Sequence, residues 1–429
     1  MGLGQGACMV APAAVLWLCA GAPTVVHAAE APSATPAPLP EIVLQEQFTF
    51  TGDVRDILLV GDQVWAATGG GLAIHRRRDG AYAKTLTSAD GLPGNSLRSL
   101  ALLDESHVLV GSDFAAAIVE VSNDQRLDLL HVHYAVPHAA SAYLARQVLG
   151  PSAPRIVTTL HGTDVTRVGS DPSYESITRF TVAASDGVTV PSDFLRREAH
   201  RLLGLPEEPP IAVIPNFVDT DHFAPAARRD RARLEELFAA TGGAAADGDG
   251  PVLFHVSNFR AVKRTPDLAE VLARVRTHVP ARLVLVGDGP ERAHTAQRAR
   301  ALGVAKSICF LGKRTDFVEY LKHADAFVLP SESESFGVAA LEALSAGVPV
   351  CAYRVGGLPE VVNDAVGRLV APFDIAALAA AVLEVVSDPT RHARLAQAAR
   401  AHVLAHFRRE PALDRYEAYY SEVLGRTRV

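Results

Sequence analysis

The 429-residue sequence predicts an α/β protein built on two Rossmann-like units, the first truncated, behind a short β-rich segment. Three observations predict this. Two series of wholly apolar runs alternate with helical stretches, the pattern of parallel strands covered on both faces. Polar and glycine-bearing segments follow those runs directly, where open parallel sheets bind ligands. Ahead of residue 113 the texture differs: short β-rich runs alternate with Gly-Asp and Asp-Gly turns.

In chain order, residues 10–28 are apolar and Ala-rich and end Val26-His27-Ala28. That is the shape of an export signal over 1–28 with a small-residue cleavage site, although no Lys or Arg precedes it. Residues 29–40 alternate Ala, Pro, Ser and Thr and suit a flexible linker. In 41–113 the β-rich runs 57–75 and 97–113 place Val64-Trp65 and Val108-Leu109 44 residues apart. Such a period suits blades of four short strands. The segment resembles a fragment of the sensor propellers of two-component regulators, too short to close a ring. Arg76–Arg78 reads as a solvated turn.

Residues 114–122 suit a short helix, and strands follow at 127–133, 155–161, 186–192 and 212–216. This gives a first unit over 114–222. A charged helical stretch and then GGAAADGDG occupy 224–250, read as the linker opening a second unit over 223–410. Its strands are expected at 251–257, 282–288, 308–312, 326–330 and 348–353. The last segment, 411–429, reads as a helix crossing back to the first unit.

Composition bounds the function. With 41 Lys+Arg against 48 Asp+Glu the net charge is −7, so no global field holds nucleic acid and an anionic ligand needs a local cluster. The four cysteines (8, 19, 309 and 351) form neither a disulfide framework nor a metal spacing. His131 and His133 share one face of a strand, but no third ligand stands at a convincing spacing, and no metal is assigned.

Four segments carry chemistry. In SESESFGVAALEALSAGVPV (331–350) a strand gives way to a polar loop and then to a helix starting near Phe336. The amides of Ser335, Phe336 and Gly337 would point out of its N-terminus, a site for an anion or a sugar hydroxyl. Glu334 and Glu342 could accept hydrogen bonds from hydroxyls; alternatively, Glu334 serves the helix dipole and Glu342 is a surface carboxylate. In SNFRAVKR (257–264) Arg260, Lys263 and Arg264 lie straight after a strand; they form either a solvated basic turn or the positive charge that a departing diphosphate needs. TLHGTD (159–164) puts His161 at a strand end, and VGDGPE (286–291) makes a glycine turn at Gly287 in a nucleotide-facing position.

Together VSNFRAVKR, LVLVGDGPE, FLGKR, LPSESESFGVAALEALSAGVPV and VGGLPEVV resemble the family-4 retaining glycosyltransferases of GT-B fold. LHVHYAVPHAASAYLARQ, VTTLHGTDVT, VIPNFVDTDHF and HVSNFRAVKR resemble, within that family, the branch that makes N-acetyl-α-D-glucosaminyl L-malate for bacillithiol. The resemblance runs from about residue 114 to the end. It implies transfer of N-acetylglucosamine from UDP-GlcNAc to the hydroxyl of L-malate, with anomeric retention, no cofactor and no required metal. The residues it implies as catalytic are His161, Arg260, Lys263 and Glu334; the family often has Arg where Asn258 stands. For the donor it implies Gly287, Gly312, Lys313, Arg314, Ser335, Phe336, Gly337 and Glu342, with Glu342 on the ribose and the 312–314 backbone facing the uracil. For malate the candidates are Tyr134, Thr163 and Arg179, the last able to pair a carboxylate bidentately. No protein nucleophile is assigned. Homo-oligomerisation stays open.

The sequence departs from this family at its start. The strand, Gly-rich loop and helix that open a GT-B protein have no counterpart before residue 114, where the propeller-like sequence stands. The chain looks like a fusion of two pieces, and an export signal conflicts with the cytoplasmic location that the resemblance implies. Two further readings therefore remain: transfer to another acceptor, and an inactive fusion serving as an exported binding module.

Overall fold

The strands Val252–Val256, Arg282–Val286 and Ala326–Leu329 are buried along almost their whole length. Only the interior of a parallel sheet with both faces covered gives such runs a place. The computed structural model describes residues 15–17, 54–60, 62–68, 71–77, 82–86, 97–104, 107–166, 172–205, 210–228, 230–240 and 250–426. The expected linker 29–40 and most of the leader lie outside these residues. The chain divides into two units, one of residues 1–160, 168–188 and 423–429, the other of 161–167 and 189–422.

The second unit holds a six-stranded parallel sheet. Its order is Ile308–Gly312, Arg282–Val286, Val252–Val256, Ala326–Leu329, Val350–Tyr353, Gly367–Val370. The chain builds outward from Val252–Val256 in one direction, then returns to its other side at Ala326–Leu329. The reversal puts a topological switch point between these two strands, the place where such sheets bind ligands. Phe254, Phe327, Leu285, Leu341 and Leu272 are fully buried in one continuous core. Each such side chain contributes about 1.5–3 kcal/mol relative to exposure. The covering helices start at side-chain caps: Asp374 accepts from the Ala377 amide at 2.8 Å, and Asp388 from those of Thr390 and Arg391 at 2.9 and 3.1 Å.

Two expectations need correction here. The segment 224–250 is not simply a linker, because Arg231–Ala240 is a helix whose Leu234, Leu237 and Phe238 enter the core. Its Glu235 accepts a fork of hydrogen bonds from buried Arg282, one at 2.6 Å, and the Arg282 guanidinium lies over the Phe238 ring. The helix expected from Phe336 is Val338–Ser345, with Gly337 at its N-cap in a left-handed conformation. Phe336 instead turns inward, 2% exposed, edge-on to Phe407.

In the first unit Val54–Val60, Gln63–Thr68, Gly71–Arg76 and Tyr82–Leu86 pair antiparallel in sequential order. Leu97–Asp104 and His107–Ser112 form a separate hairpin. Among the described residues the propeller-like segment is thus one meander and one hairpin, with no closed ring. The helix Asp113–Gln125 follows at once. Then come the parallel strands Leu129–His133 and Arg155–Thr159, and next to them Gly187–Val190. Val15–Trp17, the described part of the leader-like stretch, pairs in parallel with Leu129–His131. Asp186 binds this unit together: it accepts from Arg155 at 2.9 Å and from the Ile156 amide at 2.7 Å, and pairs with Arg146. Its carbonyl accepts from Arg426 at 3.0 Å. Among the described residues no helix is long and apolar enough to cross a membrane.

Candidate active site

The two strands flanking the switch point each end in a polar loop. After Val252–Val256 the chain runs through 257–260 into a single helical turn, Ala261–Lys263. After Ala326–Leu329 it runs through 331–337. The loops are joined by backbone, the Glu332 amide donating to the Val262 carbonyl at 2.8 Å. They are also joined by charge: Lys263 Nζ lies 2.6 Å from Glu334 Oε1, both side chains mostly buried. A partly desolvated ion pair of this kind is held only where geometry is good, and it presents a cation and a carboxylate side by side.

Close backbone packing sets the loops. A Cβ on Gly287 would stand 1.8 Å from the Ser257 carbonyl oxygen, and one on Gly356 1.8 Å from the Glu334 carbonyl oxygen. Both positions also have positive φ, at 119° and 55°, so glycine is required twice over. The Gly357 amide donates to the Glu334 carbonyl at 2.9 Å, and the Ser192 hydroxyl to the Ser335 carbonyl at 2.6 Å. Gly287 donates to the Gly312 carbonyl at 2.8 Å, linking the glycine turn to the loop bearing Lys313 and Arg314. Those two side chains are exposed, and Arg314 makes a fork to Asp316 at 2.7 Å for each bond.

The remaining candidates are placed as follows. Glu342 lies in Val338–Ser345. Burial pushes its carboxyl up to about 7, and among the described residues it has no side-chain partner. Arg260 is exposed, likewise without a side-chain partner among the described residues. His161 is half-buried at the end of its strand, and Thr163, exposed, opens the short helix Thr163–Thr166. Tyr134 is 40% exposed at the end of Leu129–His133. Arg179 is exposed on Pro172–Ala183, 3.4 Å from Glu175. Of the paired histidines, His131 is buried with Nε2 2.7 Å from Thr159 Oγ1. Among the described residues no group of three or more potential ligands could hold a metal ion.

Several residues that hold the site escape sequence reasoning. The Asp164 carboxylate, 2% exposed, accepts from the amides of His161 and Gly162 at 3.0 and 2.9 Å. Its presence three positions after His161 was the available signal. Glu360 accepts from the amides of Asp193 and Phe194 at 2.9 and 2.8 Å, capping the helix Asp193–Leu203; nothing local in the sequence announces this. Ser331, on the strand end leading to Glu334, buries a hydroxyl with no hydrogen-bond partner among the described residues. His255 lies fully buried in the strand Val252–Val256 that leads into the Lys263 loop. Its imidazole is pushed down to about 4, chiefly by burial, with the nearby Lys263 cation adding to the shift and a bond to the Val328 carbonyl opposing it.

Comparison with known proteins adds to this geometry. Residues 80–222 match the family model for glycosyltransferase family 4, and residues 242–402 match that for glycosyl transferases group 1. The first match begins well ahead of residue 114, where the sequence motifs start. The chain is 39% identical to N-acetyl-alpha-D-glucosaminyl L-malate synthase of Bacillus anthracis, over 72% of this chain and 78% of that protein. It is 32% identical to glycogen synthase of Mycobacterium tuberculosis, over 70% of each. Among solved structures, Anabaena HepE in complex with UDP and glucose superposes with a TM-score of 0.63 at 21% identity, covering 72% of this chain and 81% of that one.

Proposed function

This chain belongs to the family-4 glycosyltransferases of GT-B fold, and from that premise we propose that it transfers N-acetylglucosamine from UDP-GlcNAc to the hydroxyl of L-malate with retention of anomeric configuration. The observation that carries this reading is the Lys263–Glu334 pair at the switch point of the sheet. In the reaction the bond from the anomeric carbon to the diphosphate oxygen breaks, and a bond to the malate hydroxyl oxygen forms on the same face. The hydroxyl proton passes to the departing phosphate oxygen, and UDP leaves.

Each residue has one task in this scheme. Lys263 and Arg260 meet the charge that grows on the diphosphate, electrostatic stabilisation that requires no metal. Glu334 accepts from hydroxyls of the donor sugar, with the Phe336 and Gly337 amides nearby and Ser335 beside them. Glu342 holds the ribose. The 312–314 backbone faces the uracil, and Gly287 keeps the neighbouring turn clear. His161 approaches the donor sugar. Tyr134, Thr163 and Arg179 are assigned to malate by resemblance, and the malate assignment itself is supported by the Bacillus anthracis relative.

The test is UDP release by the purified full chain. UDP-GlcNAc with and without L-malate, against UDP-glucose and GDP-mannose as alternative donors, separates the readings. Malate-dependent release from UDP-GlcNAc, with an α-linked product by NMR, is expected. Release that ignores malate overturns the acceptor, and a preference for another donor overturns the sugar.

A further inference from the structure

None of the tasks above uses His255, although it stands at the switch point. It is fully buried. Its Nδ1 is 2.8 Å from the Val328 carbonyl oxygen on the neighbouring strand, and its Nε2 is 2.8 Å from Ser257 Oγ. Ser257 Oγ in turn lies 3.3 Å from the Phe259 amide nitrogen.

The hydrogens on this path can be assigned. A carbonyl oxygen only accepts, so Nδ1 carries the proton. Burial keeps the ring neutral, which leaves Nε2 a lone pair. The Ser257 hydroxyl therefore donates to Nε2, and Ser257 Oγ accepts from the Phe259 N–H. Phe259 is fully buried with φ 44°, a left-handed conformation that a bulky residue keeps only when its surroundings impose it. The relay fixes it from one side, and the Glu291 amide, donating to the Phe259 carbonyl at 2.9 Å, from the other. The next turn closes with the Lys263 amide donating to the Arg260 carbonyl at 2.8 Å. One imidazole thus touches both strands that lead to the ion pair: its own leads to Lys263, and that of Val328 leads to Glu334.

We infer that His255, acting through Ser257, is a positioning residue that sets the Lys263 ammonium against Glu334 and the departing diphosphate. The catalytic half of this inference rests on the function proposed above; the structural half does not.

The chain has five lysines, Lys84, Lys263, Lys306, Lys313 and Lys322. Full-length protein carrying carbon-13 at the lysine Cε therefore gives a short spectrum in which Lys263→Arg identifies the Lys263 signal. In Ser257→Ala the Lys263 signal is expected to move while the other four stay. In the same variant kcat for malate-dependent UDP release should fall about tenfold, the effect of one net hydrogen bond, with KM for the donor changed by less than about twofold. Ser257→Thr, which keeps the hydroxyl, should restore both. His255→Asn, which keeps an N–H for Val328 but does not reach Ser257, should behave as Ser257→Ala and serves in its place should that variant not fold. An unmoved Lys263 signal, or an equal shift in Ser257→Thr, overturns the inference. If the wild-type chain releases no UDP, the proposed function fails, and the lysine spectrum alone decides the positioning role.

Discussion

Replacing Glu342 by Gln keeps the shape of the protonated acid and removes its titration. The carboxyl sits at about 7 in the folded protein against an ordinary 4.5, and burial is the cause. Below the lower value both folded and unfolded chains hold the proton, and the group costs nothing. Between the two values the folded chain keeps a proton that the unfolded chain has released, so stability falls as pH rises. Above the upper value the cost is fully present. At about 1.4 kcal/mol per pH unit, the gap between the two values is worth about 3 kcal/mol. Glu342→Gln should therefore be close to neutral for stability at about pH 4 and stabilising by up to about 3 kcal/mol at about pH 8. Denaturant unfolding of both proteins at both pH values measures this, and the difference of differences isolates the carboxyl. The same variant should weaken UDP binding, since a ribose hydroxyl donates better to a carboxylate than to an amide. In the wild type, binding should release a proton near neutral pH, visible as a dependence of the binding heat on buffer ionisation. An equal effect of the substitution at the two pH values would refute the reasoning, because the carboxyl would then be solvated and ionised like any surface glutamate.

The ion pair and the glycine turn give two more expectations. Lys263→Ala should lower turnover at least about a hundredfold, the loss seen when one electrostatic donor to a developing anion is removed. It should also destabilise the fold by about 1–3 kcal/mol, because Glu334 is left mostly buried without its partner; unaltered kinetics would remove Lys263 from the mechanism. Gly287→Ala places a methyl group 1.8 Å from the Ser257 carbonyl oxygen at a φ of 119°. The 257–260 loop must shift, so the melting temperature and UDP affinity should fall together, and a variant with wild-type UDP affinity would show that the turn does not set the site.

The parallel strands were legible because burial on both faces leaves an unbroken apolar run, as in RLVLVGD and AFVLP. The polar loops at the switch point were legible because they follow such runs. Less was readable where partners are distant in sequence. Glu235 looks like a surface charge in RARLEELF until Arg282 on another element meets it, and that long-range pair helps pack into the core a helical stretch that locally reads as part of a linker. Glu360 caps a helix some 167 positions earlier, a relation with no local signature. The helix start was misplaced by two residues because the glycine at its N-cap lets Phe336 turn into the core before the helical repeat begins. His255 looked like one more position in an apolar run, and only the neighbouring strand reveals what its nitrogens meet.

The contact between Gly356 and the Glu334 carbonyl has a practical meaning for redesign. Backbone is pressed on backbone there, so the loop's path is dictated by a partner with no side chain to trade. A library varying the exposed side chains of Lys313 and Arg314 leaves that main-chain frame in place. One that varies Gly356 or Gly287 mostly samples broken frames, and its inactive members say nothing about substrate choice. The loops at the switch point are therefore a main-chain template that tolerates almost no revision at these two glycines.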